Sequence, residues 1–308
     1  MQRPAVPLEL AEFAERLDEL LGAVRADAVL ASMTAAKRAG YYVNRLQGGG
    51  PLPGDVAVPQ LPQYFLVPEG REEELGRTPE AGAGAVYPMN ASSLLPVLSL
   101  APCPGEEVLD LAAAPGGKTL LIAAAMDNSG RIAAVEPVKA RFHRLRANLE
   151  RCGVSNVAYY MADGRGVGRK VPERFDAVLL DAPCSSEARM RLAEPTTYSH
   201  WKPRKVKEAA RKQRGLLRSA FAALKPGGRL VYSTCAYAAE ENEANVAALL
   251  DAEPRAELCA VEFPGVPSMP GVTQWRSQQF GAQLQLTLRV LPDSVWDGFF
   301  VAKLRKSG

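Results

Sequence analysis

The spacing of apolar residues along the first part of the chain predicts helices followed by short strands. Apolar positions recur at three- and four-residue steps over 10–24, which is the period of an amphipathic helix. A second helical stretch follows over 26–38. Strand candidates lie at 41–44 and 64–67, separated by a Gly-Gly-Gly-Pro turn. These elements predict a small α+β region over 1–84.

Beyond that point, strand-like and helix-like segments alternate. Buried strands are predicted at 108–111, 132–135, 157–160, 177–180 and 229–233, with helices up to 126 and over 138–151, 205–224 and 239–250. Because right-handed crossovers cover both faces of such a sheet, the pattern predicts a parallel arrangement. Two last strands, 284–290 and 298–304, flank a Pro-Asp-Ser turn and predict an antiparallel hairpin. The fold class is therefore α/β, with a doubly wound, mostly parallel Rossmann-like sheet and a closing hairpin over 85–308.

Composition is that of an ordinary globular protein, since 47% of the 308 residues are hydrophobic and 23% are charged. No apolar run approaches the roughly 20 residues that a membrane-spanning helix needs, and no secretory signal is visible. The five cysteines include no Cys-x-x-Cys pair, and the two histidines stand apart. We therefore expect a cytoplasmic protein with neither a disulfide framework nor a metal site.

The net charge of +3 is small, but its distribution is uneven. One segment contains seven basic residues and a single acid, Glu208. Its basic residues are Lys202, Arg204, Lys205, Lys207, Arg211, Lys212 and Arg214, and we call them the basic strip. Such a strip on an otherwise slightly acidic protein is typical of a surface that binds a phosphate backbone. The alternative is a solvated helix face.

A loop rich in small residues joins the first predicted strand of the large region to its helix, in Asp110-Leu-Ala-Ala-Ala-Pro-Gly-Gly-Lys-Thr119. A phosphate-binding P-loop requires glycine where Ala112 stands, and the dinucleotide pattern Gly-x-Gly-x-x-Gly is missing. The loop still allows a ligand to approach the backbone closely. Its candidate ligand-binding residues are Ala112, Ala113, Ala114, Pro115, Gly116, Gly117 and Lys118.

Acidic residues follow the next two strands. Glu136 ends the second strand, where nucleotide-binding sheets place an acid against ribose hydroxyls, and Asp163 follows the third. Two acids without a phosphate-binding glycine pattern fit a nucleoside that lacks phosphates, and S-adenosylmethionine is the candidate. The alternative is that the two acids only cap helices.

Two cysteines follow the fourth and fifth strands. The fourth strand ends in Asp181-Ala-Pro-Cys184-Ser, and the fifth ends in Ser-Thr-Cys235. These strands should be parallel neighbours about 4.8 Å apart, so both thiols and Asp181 should meet at one crevice. The other three cysteines, Cys103, Cys152 and Cys259, are interpreted as inert small apolar residues.

Together these motifs carry a family resemblance. The Ala-Pro-Gly-Gly-Lys-Thr loop, Asp-Ala-Pro-Cys-Ser, Lys225-Pro-Gly-Gly and Ser-Thr-Cys occur in this order, and the chain resembles the RsmB/RsmF/Sun family of RNA (cytosine-5) methyltransferases. The likeness runs from Tyr87 to Lys306. Three departures are Tyr42 in place of an arginine before Val-Asn, Ala112 where many members have cysteine, and Ser-Glu-Ala-Arg189 in place of a glycine-containing turn.

The resemblance implies an S-adenosylmethionine-dependent methyltransferase with a covalent mechanism. It assigns attack on carbon 6 of cytosine to Cys235 and product release to Cys184. Asp181 would contact the cytosine edge and the cofactor, and Lys118 would be a second base contact. The dipole of the predicted helix 239–250 would favour a thiolate at Cys235.

The resemblance also implies an RNA partner. DNA cytosine methyltransferases use the Pro-Cys thiol, so the presence of both cysteine motifs favours RNA, with ribosomal RNA preferred over transfer RNA. The basic strip would follow the RNA backbone, Trp201 would offer a stacking surface, and the region 1–84 would contact RNA. Which cytosine is modified and the oligomeric state stay open.

Three other classes compete with this interpretation. One is a nucleoside triphosphatase, which Ala112 opposes. Another is a non-catalytic RNA-binding protein with a methyltransferase fold, which the two cysteine motifs oppose. The last is an exocyclic-amine methyltransferase, but its Asp/Asn-Pro-Pro-aromatic motif is missing.

Overall fold

A computed structural model describes residues 3–308, so the first two residues of the region 1–84 lie outside it. The chain begins with two helices, α1 (Ala11–Leu21) and α2 (Ala23–Ser32). A small antiparallel sheet follows in the order β2-β3-β1-β4. Its strands are β1 (Gly40–Val43), β2 (Val56–Ala57), β3 (Tyr64–Leu66) and β4 (Val86–Pro88), with a short helix α3 (Pro79–Gly82) before β4. Strand β4 lies just beyond the boundary predicted at residue 84.

The large sheet has nine strands among the described residues. They are β5 (Glu107–Asp110), β6 (Arg131–Val135), β7 (Val157–Tyr160), β8 (Phe175–Asp181), β9 (Leu224–Thr234), β10 (Ala256–Cys259), β11 (Ser268–Pro270), β14 (Leu288–Val290) and β15 (Phe299–Lys306). The order is β11-β14-β15-β9-β8-β5-β6-β7, and β10 pairs with β15. The five strands β5 to β9 are parallel, whereas β15 runs antiparallel to β9. A separate hairpin is formed by β12 (Gln274–Trp275) and β13 (Gln278–Gln279).

Alternating side chains of the central strands bury two different cores. On β8, Ala177 and Leu179 join the core on one face, and Val178 and Leu180 join the core on the other. The helices of this region are α4 (Leu95–Leu100), α5 (Gly117–Ala125), α6 (Lys139–Arg151), α7 (Val167–Lys170), α8 (Pro203–Ala223) and α9 (Glu243–Ala252). Residues of α4, α5 and α6 pack on the first face, and residues of α8 and α9 pack on the second. Because both faces are covered, the strands are apolar throughout.

The predicted fold class is confirmed, including the mostly parallel sheet and the closing hairpin, in which β14 pairs with β15. One helix differs from its prediction, because α9 begins at Glu243 rather than at residue 239. The four residues before it form turns in which Ala239, Glu241 and Asn242 are buried and Glu240 is half-buried. The first strand of the hairpin is also shorter, since residues 282–286 form a 3-10 helix.

The N-terminal region is packed directly onto the large sheet region. Helices α1 and α2 share a core with Met190, Trp201 and Tyr237, which lie in the segments that follow β8 and β9. Asn44, at the end of β1, is fully buried, and its amide donates to the carbonyls of Gly84 and Cys152 at 2.8 Å each. The Asn of the Val-Asn pair therefore joins the small sheet to the end of α6.

Candidate active site

A cleft of about 600 Å³ opens at the carboxyl ends of β5, β8 and β9. Strand β5 has β6 on one side and β8 on the other, so the order of the parallel strands changes direction at β5. Ligands of doubly wound sheets bind at such a topological switch point. The cleft is lined by the loop after β5, the loop after β8, the segment 87–93, Cys235 and Phe299. Neither segment 87–93 nor Phe299 was predicted as part of a site.

The loop after β5 follows the sequence prediction closely. Six of its seven predicted residues line the cleft, namely Ala112, Ala113, Ala114, Pro115, Gly117 and Lys118. The seventh, Gly116, has a φ of +112° and lies against Leu145 of α6, which a Cβ atom would approach to 3.2 Å. At Gly117 a Cβ atom would lie 3.0 Å from the ring of Tyr87. Both glycines are therefore required by close packing.

Asp110 lies at the floor of the cleft and was not predicted as a binding residue. It is 1% exposed and accepts a hydrogen bond of 2.7 Å from the Thr119 hydroxyl. Burial raises the pKa of its carboxyl to about 6. Its position as the last residue of a buried strand is the signal that could have identified it.

Glu136 and Asp163 lie at the ends of the neighbouring strands β6 and β7, outside the lining of the cleft. Glu136 is buried and accepts from the backbone N–H of Val138 at 2.9 Å. Asp163 is exposed and caps a 3-10 turn, where it binds Arg165. The hydrogen bonds from Arg165 lower the pKa of Asp163. Both acids thus form local turn contacts, and Glu136 also lies 3.6 Å from the guanidinium of Arg141, which lines the cleft.

Lys118 and Asp181 form an ion pair inside the cleft. The Lys118 Nζ atom lies 2.6 Å from Oδ2 of Asp181, and the Ser233 hydroxyl donates to Oδ1 at 2.8 Å. Ser233 is opposite Asp181 in the register of β8 and β9. Lys118 also lies 5.6 Å from the centre of the Phe299 ring. The pair places a cation and an anion at fixed positions beside the cysteines.

The sulfur atoms of Cys184 and Cys235 are 3.3 Å apart, and both thiols are free. The hydrogen bond between them raises the pKa of Cys184 and lowers that of Cys235, and together with the positive charge of Arg189 it brings the pKa of Cys235 to about 7 despite burial. Cys235 is therefore the thiol that ionises nearer neutral pH. A helix dipole is not the cause, because α9 begins eight residues beyond Cys235.

Buried carboxyl groups hold the two cysteine loops together. Glu187 is 1% exposed and accepts from the backbone N–H groups of Tyr237 (2.7 Å) and Ala238 (2.9 Å) and from the Trp201 indole (2.8 Å). The backbone N–H of Ala188 donates to the carbonyl of Cys235 at 3.1 Å. These contacts fix the loop after β8 to the segment after β9.

Glu241, Asn242 and Glu243 complete this attachment, and all three are fully buried. Glu241 accepts from the backbone N–H of Ser185 at 3.0 Å and from Gln213, and burial raises its pKa to about 8. Asn242 bonds Thr234, and Glu243 forms a buried ion pair with Arg289. The helix prediction for this segment concealed these roles, although four successive polar residues, 240–243, between apolar ones were a visible signal.

Trp201 corrects one prediction. Its ring is 5% exposed and packs edge-on against Phe13 at 5.3 Å, and its indole N–H is bound to Glu187, so it cannot serve as a stacking surface in this structure. The physical reason is that an apolar ring beside the helix pair α1 and α2 gains more by burial than by exposure. The basic strip itself is exposed, along α8 and at its cap, Lys202.

Two further observations concern groups outside the cleft. Among residues 3–308, no cluster of three or more His, Cys, Asp or Glu side chains is arranged to hold a metal ion. Across the same range, no helix combines the length and apolar character that crossing a bilayer requires.

A doubly wound sheet whose small-residue loop and paired strand ends share one cleft is the architecture of a Rossmann-like methyltransferase. The family model described as 16S rRNA methyltransferase RsmB/F matches residues 97–305, and the chain belongs to this family. The resemblance seen in the sequence is therefore confirmed. S-adenosylmethionine, the predicted methyl donor, is the cofactor of this family.

Individual relatives agree with this membership. Ribosomal RNA small subunit methyltransferase F of Escherichia coli (strain K12) is 44% identical over 260 residues, which are 81% of this chain and 51% of that protein. The chain thus spans about half the length of the curated relatives it matches. A crystal structure of a methyltransferase homolog protein from Pyrococcus horikoshii is 33% identical, with a TM-score of 0.79 and 97% of both chains covered. The structure of NSun6 from Pyrococcus horikoshii with SFG, 22% identical, has a TM-score of 0.80 over 98% of both chains and shows the same fold.

Proposed function

We propose that this protein is an S-adenosylmethionine-dependent RNA (cytosine-5) methyltransferase that acts on ribosomal RNA of the small subunit. The observation that carries the proposal is the pair of thiols 3.3 Å apart in the cleft, beside the ion pair of Lys118 and Asp181. Family membership and the name of the Escherichia coli relative support the substrate class. Transfer RNA is the second substrate to be tested, and a cytoplasmic location stays a prediction.

The two cysteines divide the work of a covalent mechanism. Carbon 5 of cytosine is a weak nucleophile, so the Cys235 thiolate first adds to carbon 6 and makes carbon 5 electron-rich. A pKa of about 7 leaves much of Cys235 ionised at neutral pH. Lys118, whose ammonium is held by Asp181, stabilises the negative charge that addition places on the ring, while Asp181 contacts the base edge.

Release reverses the addition. Once carbon 5 carries the transferred methyl group, a general base accepts the proton on carbon 5, and the electrons of the broken C–H bond form the carbon 5–carbon 6 double bond and expel the Cys235 thiolate. Cys184 lies 3.3 Å from that sulfur and donates a hydrogen bond to it, which makes the thiolate a better leaving group. This is the physical basis for assigning Cys184 to product release.

The residues around the loop after β5 fit a nucleoside cofactor. When bound, S-adenosylmethionine supplies an electrophilic methyl group. Six residues of this loop line the cleft, and its volume of about 600 Å³ suits a small-molecule cofactor. Glu136 and Asp163, at the ends of β6 and β7, are proposed to bind the ribose hydroxyls and the adenine amino group. Gly116 keeps the loop against α6.

The RNA contact is proposed for the basic strip, which is exposed along one helix, and for the N-terminal region. Cys235 is only partly exposed and lies inside the cleft. The target cytosine therefore has to leave its stack to reach it. A single-stranded loop or an open helix of RNA would meet this need.

The test is methyl transfer from labelled S-adenosylmethionine to small-subunit ribosomal RNA, supplied free and as assembled subunits from cells lacking the gene, with bisulfite sequencing of the product. Cys235→Ala should abolish transfer. Cys184→Ala should accumulate an RNA–protein adduct on a denaturing gel. Cys103→Ala, in an exposed position away from the cleft, is the matched control and should act like the unaltered protein.

Contrary outcomes are distinct. Methylation at an exocyclic amine, or full turnover by Cys235→Ala, would reject the cytosine-5 mechanism. Modification of transfer RNA alone would reject the substrate but keep the chemistry.

A further inference from the structure

Arg189 is a cleft residue without a partner. It lines the same cleft as Cys184 and Cys235, and its side chain is exposed to it. Its backbone N–H bonds the carbonyl of Ser186 at 2.9 Å. Its guanidinium has no hydrogen bond and no ion pair within residues 3–308. An unpaired guanidinium in a cleft is a ready site for an anion, because its planar fork binds phosphate oxygens in pairs.

The position of Arg189 is fixed by its neighbours rather than by its own side chain. It is the last residue of the 3-10 turn Glu187–Arg189. The first residue of that turn is held by the backbone of Tyr237 and Ala238, and the second donates to the carbonyl of Cys235 at 3.1 Å. The turn that carries Arg189 is therefore bound directly to the backbone of the attacking cysteine.

The chemistry of cytidine indicates which anion would lie there. Carbon 6, the atom attacked by Cys235, is bonded to the ring nitrogen that carries the ribose. In the common anti conformation the carbon 6 edge faces the 5′ phosphate, whereas the amino group and ring nitrogen 3 point away. A cation beside the attacking sulfur therefore meets the phosphate, while Lys118 and Asp181, on the loop after β5 and the end of β8, meet the base.

We propose that Arg189 is a substrate-binding residue whose guanidinium binds the phosphate on the 5′ side of the target cytidine. The assignment rests on the proposed function and adds a subsite to it. It gives a role to the Ser-Glu-Ala-Arg segment, where the sequence departs from the glycine-containing turn of the family. Binding the phosphate next to the reacting carbon would orient the ring for attack.

The same charge also acts on the nucleophile. The positive charge of Arg189 lowers the pKa of Cys235, after the larger effect of the Cys184 hydrogen bond. Asp181 opposes it, and Asp181 is itself paired with Lys118. Replacing Arg189 by a neutral residue should therefore raise the pKa of Cys235.

The first experiment measures alkylation of Cys235 by iodoacetamide against pH, with the site located by mass spectrometry. Arg189→Met should slow alkylation at pH 7 several-fold and move the profile to higher pH, and Arg189→Lys, which keeps the charge, should leave the profile near its original position. Arg305→Met is the matched control, since Arg305 is exposed and lies opposite Arg229 of β9, away from the carboxyl end of that strand. An unchanged profile for Arg189→Met would reject the electrostatic contact.

The second experiment uses cytidine 5′-monophosphate and cytidine as probes that protect Cys235 from alkylation. In the unaltered protein the nucleotide should protect at a concentration about tenfold lower than the nucleoside, which corresponds to one charge-assisted contact. In Arg189→Met the two should protect equally. Equal protection in the unaltered protein, a nucleotide advantage that survives the substitution, or no protection by either probe would overturn the subsite.

Methyl transfer separates this proposal from the proposed function. A protein that methylates cytosine with the same kcat/KM in Arg189→Met keeps the function and loses the subsite. A protein that methylates no cytosine, but prefers the nucleotide only when Arg189 is present, keeps the subsite and loses the function.

Discussion

The two halves of the sheet's carboxyl edge are built in different ways. Over β6 and β7, the acids make contacts within five residues of themselves, Glu136 to Val138 and Arg141, and Asp163 to Arg165. Over β8 and β9, buried polar groups connect segments that are far apart in the chain, and Glu187 binds the backbone 50 residues later. The first half is assembled by local turns, and the second requires the tertiary fold. Substitutions in the second half should therefore cost more stability.

The largest loss of stability is expected on substitution of Arg289. Its guanidinium is 3% exposed and bound to Glu243 and to the carbonyl of Tyr237. Arg289→Met leaves the buried Glu243 carboxylate without a cation, holding only the hydrogen bond from the backbone N–H of Val272, which should lower the free energy of unfolding by about 3–5 kcal/mol. Urea denaturation measures this. Arg276→Met, which breaks an exposed ion pair with Glu19, should cost less than about 1 kcal/mol. Similar losses of unfolding free energy in Arg289→Met and Arg276→Met would contradict the idea that the buried contacts of the second half contribute more to stability.

A smaller effect is expected at Glu187. Glu187→Gln keeps the shape of the side chain but turns one acceptor oxygen into an NH₂ group that faces N–H donors, which should cost about 1–3 kcal/mol. Because this carboxylate positions the cysteine loops, the rate of Cys235 alkylation should change as well. Glu150→Gln, at an exposed position of α6, is the control and should alter neither property. A loss of stability with unchanged alkylation would limit Glu187 to a structural role.

Glu241 should make stability depend on pH. Burial raises its pKa from 4.5 to about 8 in the folded chain, so between those values the unfolded chain releases a proton that the folded chain keeps. Stability is then full below pH 4.5 and falls as pH rises toward 8. The range from pH 6 to 7 lies above the pKa of Asp110, about 6, and below the range in which Cys235, whose pKa is lowered to about 7, makes stability rise with pH. Denaturation across this range should show a slope on the order of 1 kcal/mol per pH unit, which Glu241→Gln should flatten. An equal slope in Glu241→Gln would assign it to another group.

The smallest effect on stability is expected in the first half. Asp163→Asn replaces an exposed cap whose contacts lie within its own turn, so unfolding should change by no more than about 0.5 kcal/mol. Its affinity for S-adenosylmethionine, measured by calorimetry, should nevertheless fall about tenfold if Asp163 binds the cofactor. Unchanged affinity would leave Asp163 as a cap alone.

The contrast also explains which features were predictable. The five parallel strands, the closing hairpin, the loop after β5 and the two cysteine motifs were predicted, because apolar periodicity and short motifs report local structure. Strands β10 and β11 were not predicted. The predicted start of α9 was wrong. The apolar residues before Glu243 continue a helical pattern, but the side chains of Glu241 and Asn242 bind Ser185 and Thr234 outside the helix. Trp201 was wrong as a stacking surface, since its burial depends on helices nearly 200 residues earlier. Arg189 was missed because nothing local distinguishes it as a cleft residue, whereas Asp110 was missed although its place at the end of a buried strand was a local signal.

The amino-acid sequence by itself determined the order of strands and helices, the small-residue loop and the presence of a cysteine at each of two strand ends. Each of these depends on neighbours a few residues away, and short-range sterics and apolar burial decide them. The tertiary structure alone decided that the two sulfurs lie 3.3 Å apart, that Cys184 and Arg189 lower the pKa of Cys235, and that Arg189 is left unpaired in the cleft. Those properties depend on distances between groups about 50 residues apart, which only the packed sheet and its buried carboxylates establish.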